Sequence, residues 1–140
     1  MKIETLDRVN YYVGKYTRDT ISVAELLCDR HPEINLAFRI IEQDQSFNDI
    51  SYKELRDESE KLASGFIEAG VVPGDRIAML MGKSKEFIVS LLAIWRVGGV
   101  YVPLFTAFST PAVELRLKDT NSKRCLLRSI AQEGIPSRIC

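Results

Sequence analysis

Residues 91–105, LLAIWRVGGVYVPLF, run an apolar, helix-like segment into a glycine pair and straight out into a strand-like one. Glycines between helices and strands often cradle phosphate, so the reading of Gly98-Gly99 decides whether the chain carries a nucleotide site there. Dinucleotide and P-loop sites run strand, glycine loop, helix, and the phosphate meets the positive N-terminus of the helix dipole. Here the order is helix, glycines, strand, and a phosphate would face the negative end. The pair therefore reads as a helix C-cap and a turn into a strand.

Outward from that turn, the helix expected over about Lys85 to Val97 places Phe87, Ile88, Val89, Leu91, Leu92, Ala93, Ile94, Trp95 and Val97 around nearly its whole circumference. A helix apolar on all sides must be buried on more than one of them. RIAMLM before it reads as a buried strand, and VYVP after it as a strand ending at Pro103. Thr110-Pro111 offers an N-cap and a first-turn proline for a helix to about Lys118. Upstream, Ser51-Tyr52-Lys53-Glu54 has the capping-box form. It opens a helix with Leu55, Ser59, Leu62, Phe66 and Ala69 on one stripe, an outward Asp57–Lys61 pair, and Gly70 as its left-handed end. Pro73-Gly74 fits a type II turn. Earlier still, TISVAELLCDR reads as a helix stopped by His31-Pro32, INLAFRII as a strand, and Phe47 to Ile50 as a short strand. Residues 1–19 show no period and read as a surface arm. Strands alternating with helices predict an α/β fold with a mostly parallel sheet.

The strand–loop–helix order suited to phosphate occurs once, at Gly82-Lys83-Ser84 between RIAMLM and the apolar helix. It mimics the end of a Walker A loop, G-x-x-x-x-G-K-[ST], but the place of the first glycine is held by Ile77, inside the strand. Ser84 reads as an N-cap and Gly82 as a turn. His31, the single histidine, precedes a proline at a helix end, and one histidine builds no metal motif. Cys28, Cys125 and Cys140 are scattered, without zinc-ligand spacing, and predict reduced thiols. The 19 lysines and arginines balance 19 acids, which argues against a nucleic-acid or anionic-membrane face. Acids near the start replace the apolar run of a leader, and Arg96 with the glycines breaks the longest apolar stretch short of a membrane span. A soluble, cytoplasmic chain is expected. No catalytic, cofactor-binding or metal-ligating residue is assigned.

Three ordered blocks carry a resemblance. Ile50-Ser51-Tyr52-Lys53-Glu54-Leu55, the turn from Gly70 to Arg76, and Ile94 to Pro103 resemble successive N-terminal motifs of the adenylate-forming, AMP-binding enzymes, acyl-CoA synthetases in particular. Arg96-Val97-Gly98-Gly99 stands where that family has Lys-Ala-Gly-Ala, and LFTAF is similar to synthetases for short- and medium-chain acids. The likeness covers roughly Pro32 to Asn121. It implies an incomplete N-terminal portion of a synthetase large domain. The whole enzyme of that kind uses ATP, Mg²⁺ and coenzyme A on a carboxylic acid; its phosphate loop, metal motif, ribose-binding aspartate and catalytic lysine lie in later parts of the family. On this reading residues 1–123 are the partial AMP-binding domain. Residues 124–140, RCLLRSIAQEGIPSRIC, depart from the family as an altered ending, such as a truncated or frame-shifted frame. The expected function is an acyl-CoA synthetase-like ligase segment, inactive alone and able to self-associate through uncovered core around Phe87, Leu91 and Trp95. The alternatives are a small interaction or regulatory protein that reuses the scaffold, and a minimal nucleotide binder using Gly82-Lys83-Ser84.

Overall fold

A computed structural model describes residues 5–17, 21–42 and 44–127. The tail from residue 128 onward, Cys140 included, lies outside the described residues. The elements are helix α1 (Thr5–Tyr16), a short π turn (Glu25–Asp29), strands β1 (Leu36–Ile41) and β2 (Phe47–Ser51), helix α2 (Tyr52–Glu68), strand β3 (Arg76–Leu80), helix α3 (Lys85–Arg96), strand β4 (Val100–Pro103), helix α4 (Thr110–Asp119) and strand β5 (Arg124–Leu127). β1 and β2 form an antiparallel hairpin, while the second sheet is three-stranded and parallel in the order β4-β3-β5. The expected α/β class and parallel sheet are both present. α1 gives the N-terminal arm a helix that the sequence pattern did not announce. Residues 124–127, at the start of the expected atypical tail, form a strand on β3 with Cys125 buried.

The central strand is covered on both faces, which is why RIAML reads as a continuous apolar run. On one face Ile77 packs with Ala63 and Phe66 of α2, with Ala93 and Ile94 of α3 and its C-cap Val97, and with Val71. On the other, Ala78 and Cys125 meet Leu104, and α4 covers them with Val113 and Leu117. α3 is buried a second time on its opposite side, where Val89 and Leu92 pack against Leu55, Ile50, Ala24 and Cys28. The all-round apolar helix is thus clamped between the sheet and the α2–hairpin–π-turn layer. Phe87, Leu91 and Trp95, expected to be uncovered, are half-buried. Trp95 packs on the second cluster and Phe87 meets Tyr101 edge to face. The strongly exposed apolar side chains lie elsewhere, at Ile34, Ile41, Phe47 and Phe105.

Three helices end in the same way. Gly98 N–H donates to the Trp95 carbonyl at 3.1 Å and Gly99 N–H to the Ile94 carbonyl at 2.8 Å, the paired bonds of a Schellman motif. Gly70 and Val71 close α2 through Ile67 and Phe66, and Asn121 and Ser122 close α4 through Lys118 and Leu117. The residue past each cap is left-handed, with φ of 81° at Gly70, 70° at Gly98 and 47° at Asn121. The α3 cap also docks onto the Pro73-Gly74 turn, where Asp75 N–H donates to the Val72 carbonyl and Gly74 has a φ of 86°, as a type II turn requires. Gly74 N–H reaches the Gly98 carbonyl and Val100 N–H reaches the Asp75 carbonyl, both at 2.8 Å. A side chain at Gly98 would strike the Pro73 ring, and one at Gly99 would come within 3.1 Å of the Ile94 carbonyl.

Some local expectations are corrected. Ser51 accepts from the Glu54 N–H at 3.2 Å, but the Glu54 carboxylate is drawn to Lys85 and not back to the cap. Electrostatic attraction to an ammonium outweighs a neutral N–H partner here. Lys53, not Lys61, pairs with Asp57. Ala63 is buried where Ala69 was expected, because α2 turns its last residue to water beside the Gly70 cap. Ser109, not Thr110, is the N-cap of α4, and its side chain makes no capping bond. The helix expected from Thr20 begins only at Val23 and widens into the π turn, in which Arg30 N–H reaches five residues back to Glu25.

Gly98→Ala should destabilise the fold by about 1–2 kcal/mol, the cost of a left-handed non-glycine residue, plus the contact with Pro73. Gly65→Ala, inside α2 with open space around it, should stabilise it by about 0.5–1 kcal/mol. Urea denaturation of the two variants beside the parent chain measures both, and equal shifts would contradict the cap geometry.

Candidate functional site

In parallel sheets ligands bind outside the carboxyl ends of the strands, so the loop after β3 is the first place to look. β3 ends at Leu80, and Gly82-Lys83-Ser84 leads into α3. Ser84 is extended at φ −154° and its hydroxyl accepts from the Phe87 N–H at 3.3 Å. The serine is therefore an N-cap, as its sequence context indicated. An open cavity of about 500 Å³ lies beside it, bounded by Lys83, Ser84, Phe87 and Ile88 and by Arg39, Ile40 and Ile41 of β1.

The cations around this loop are already engaged. Lys85 bridges Glu54 and Glu58 of α2 at 2.5 and 2.6 Å, and these carboxylates hold its pKa above the usual lysine range. Arg39 lies in a two-bond pair with Asp49, both contacts at 2.6 Å, and stacks over Phe47. Lys83 alone makes no ion pair among the described residues. One free lysine and a capped helix start offer a phosphate chain little to hold.

Cys28 and His31 are both held in packing contacts. The Cys28 thiol is held above its ordinary pKa by burial first and by Asp29 second, and it donates weakly to the Tyr52 carbonyl. A raised thiol pKa means less thiolate and a less reactive sulfur. His31 is stacked on Tyr52 with ring centroids 4.4 Å apart. Among the described residues there is no group of three or more His, Cys, Asp or Glu placed to hold a metal ion, and no helix long and apolar enough to cross a membrane. The Gly98-Gly99 pair sits at the opposite, amino-terminal end of the sheet, against the Pro73-Gly74 turn.

The densest charge cluster was not foreseen. Arg96, nearly buried at the end of α3, donates to both Asp29 carboxylate oxygens at 2.8 and 2.5 Å and to Ser59 at 2.9 Å. Arg56 donates to the Asp29 carbonyl and to Glu33, each at 2.9 Å. The sequence did hold one signal, since an arginine inside an otherwise apolar helix must find a buried partner. Which carboxylate supplies it cannot be read across 67 residues of chain.

Comparison with known proteins gives this scaffold its relatives. The family described as "AMP-binding enzyme" matches residues 28–138. The chain belongs to the AMP-binding enzyme family. It is 34% identical over 125 residues to an acetyl-coenzyme A synthetase of Streptomyces avermitilis, covering 86% of this chain and 19% of that relative. The acetyl-coenzyme A synthetase of Escherichia coli is likewise 34% identical, over 119 residues, with 81% of this chain and 18% of the relative covered. Among solved structures, an acyl-CoA synthetase of Brucella canis superposes with a TM-score of 0.77 at 30% identity, over 84% of this chain and 22% of that one. The AMP-binding chain thus spans about a fifth of the length of the relatives it matches. It is an acyl-CoA synthetase-like, N-terminal segment of an adenylate-forming enzyme.

The acid response follows from two carboxylates of the scaffold. The hydrogen bonds from Arg96 lower the Asp29 pKa, and the hydrogen bond from Lys123 lowers that of Asp75, helped by the Val72 N–H. A depressed folded pKa contributes stability above the unfolded value, about 4, and that stability is lost as pH falls through the folded values. The melting temperature should stay level from about pH 7 to 5 and drop below about pH 4, with a shallower drop in Asp75→Asn. Calorimetry across that range tests it, and an unaltered acid limb in Asp75→Asn would remove Asp75 from the account.

Proposed function

We propose that this chain is the N-terminal scaffold of an AMP-forming carboxylic acid–CoA ligase and does not carry out adenylation by itself. The observation that supports this reading is the use made of the one loop with phosphate-site order. Ser84 is spent on capping α3, and the adjacent Lys85 is clamped between Glu54 and Glu58. Adenylate formation needs several donors and a metal on the transferring phosphate oxygens. The donors at this edge do not fit ATP with Mg²⁺, and no reaction step is assigned to them. ATP, Mg²⁺, coenzyme A and a carboxylic acid belong on this reading to the whole enzyme, working in the cytoplasm on fatty or shorter acids. Residues 1–123 are taken as the AMP-binding part and 124–140 as the divergent ending. In the role proposed, the two-sided burial of α3 holds β3 and β4 in register, and later parts of such an enzyme build the site on them.

The purified chain should release no pyrophosphate from ATP with acetate, butyrate or octanoate. Acid-dependent release that survives removal of contaminating synthetases would overturn the proposal. In the same preparation Ser84→Ala should cost about 1 kcal/mol as a lost N-cap. ATP should leave the melting temperature of both forms unmoved. A saturable rise with ATP, abolished in Lys83→Ala, would replace this reading with that of a minimal nucleotide binder.

A further inference from the structure

The cavity between β1 and the start of α3 is left over once the loop beside it has its capping and ion-pair roles. Its volume of about 500 Å³ falls within the range of small-molecule sites, roughly 300–1,000 Å³. Its walls are mainly apolar. Ile40 of β1 and Ile88 of α3 line it and also pack against the core cluster that contains Ile50, Leu55 and Val89. Phe87 is half-buried and held edge to face against Tyr101. Ile41, at the end of β1, is 69% exposed. A single exposed isoleucine means little, but one that lines a concave apolar wall gives an apolar ligand surface to bury.

The charge at this cavity is unbalanced. None of its lining residues is acidic. Arg39 is neutralised, because both of its bonds go to Asp49 and its guanidinium lies 4.3 Å from the Phe47 ring centroid. The neighbouring Lys85 is taken by Glu54 and Glu58. Lys83 lines the cavity, is exposed, and makes no ion pair among the described residues. The Ser84 hydroxyl oxygen accepts from the Phe87 N–H, which leaves its own proton to donate. One ammonium on a flexible stem and one hydroxyl, set beside apolar walls, suit a ligand with a single anionic head and an aliphatic body. A polyphosphate would bring several charges to one cation, and an amine would be repelled.

We propose that this cavity binds a free aliphatic monocarboxylate of medium chain length. Its carboxylate lies on Lys83 and Ser84, and its chain lies against Ile40, Ile41, Phe87 and Ile88. Binding is noncovalent and needs neither ATP nor the later parts of a synthetase, so the inference stands apart from the functional reading above.

Calorimetric titration of the full chain at neutral pH and low salt, with hexanoate, octanoate and decanoate below their micelle concentrations, tests it. One equivalent should bind saturably, and each added methylene should tighten binding about threefold, as a largely buried CH₂ does. Octanol should bind more weakly than octanoate, and octylamine more weakly still. Lys83 and Ile41 are both exposed, so replacing either keeps the fold. Lys83→Ala should weaken octanoate about fivefold and abolish its advantage over octanol, whereas Lys83→Arg should keep that advantage. Ile41→Ser should weaken decanoate more than hexanoate and so flatten the dependence on chain length. The proposal fails if no saturable binding is seen, or if affinity is indifferent to chain length. It fails equally if Lys83→Ala and Ile41→Ser both leave affinity unchanged, since the acids would then sit elsewhere on the protein. A dimer that Ile41→Ser dissolves and the acids do not disturb would make the cavity a contact between copies and overturn the proposal.

Discussion

The structure depends on one constraint, which is that α3 must be covered on two opposite sides. Val89 and Leu92 on one side, and Ala93, Ile94 and Val97 on the other, need separate cover. The sheet supplies one wall and the α2–hairpin–π-turn layer supplies the other. Burying each large side chain is worth roughly 1.5–3 kcal/mol, so losing either wall would remove much of a marginal domain's stability. The positions of β3, β4 and α2 follow from that demand. The two glycines after α3 then let the chain reverse tightly enough for β4 to lie beside β3, with the Pro73-Gly74 turn as the surface they close on.

A second constraint comes from the charge at the end of the same helix. Arg96 is largely withdrawn from solvent, and an unpaired guanidinium there would be costly. Its partner arrives from the π turn, so that turn is tied to the helix by ion pairing as well as by the packing of Cys28. Buried apolar contact holds the body together broadly and cooperatively. The ion pair to Asp29 adds a single directed tie beside it.

The functional reading rests on membership and on local chemistry together. The chain belongs to the AMP-binding enzymes and aligns with the first part of acyl-CoA synthetases. Its loop of phosphate-site order is occupied with structural tasks, since Ser84 caps a helix and Lys85 ties α3 to α2. A segment of this kind is recognisable by motif, because helix caps and tight turns leave as firm a sequence signature as catalytic residues do.

Local geometry was legible in the amino-acid order alone. Ser51 and Ser84 as caps, Gly70 and Gly98 as left-handed ends, the Pro73-Gly74 turn and the strands at RIAML and VYVP all follow from backbone sterics and periodicity, which act over a few residues. Leu62 and Phe66 were placed on the inward stripe of α2 by the same periodicity, but the stripe drifts and admits Ala63 in place of Ala69. The Schellman end at Asn121 escaped notice because asparagine takes the left-handed region far less distinctively than glycine. Only the tertiary structure decided which carboxylate meets Arg96, that Glu54 serves Lys85 and not its own cap, and that β5 joins β3. Those choices are long-range. They depend on which surfaces the buried helix brings within a few ångströms of each other, and no period or spacing along the chain encodes that distance.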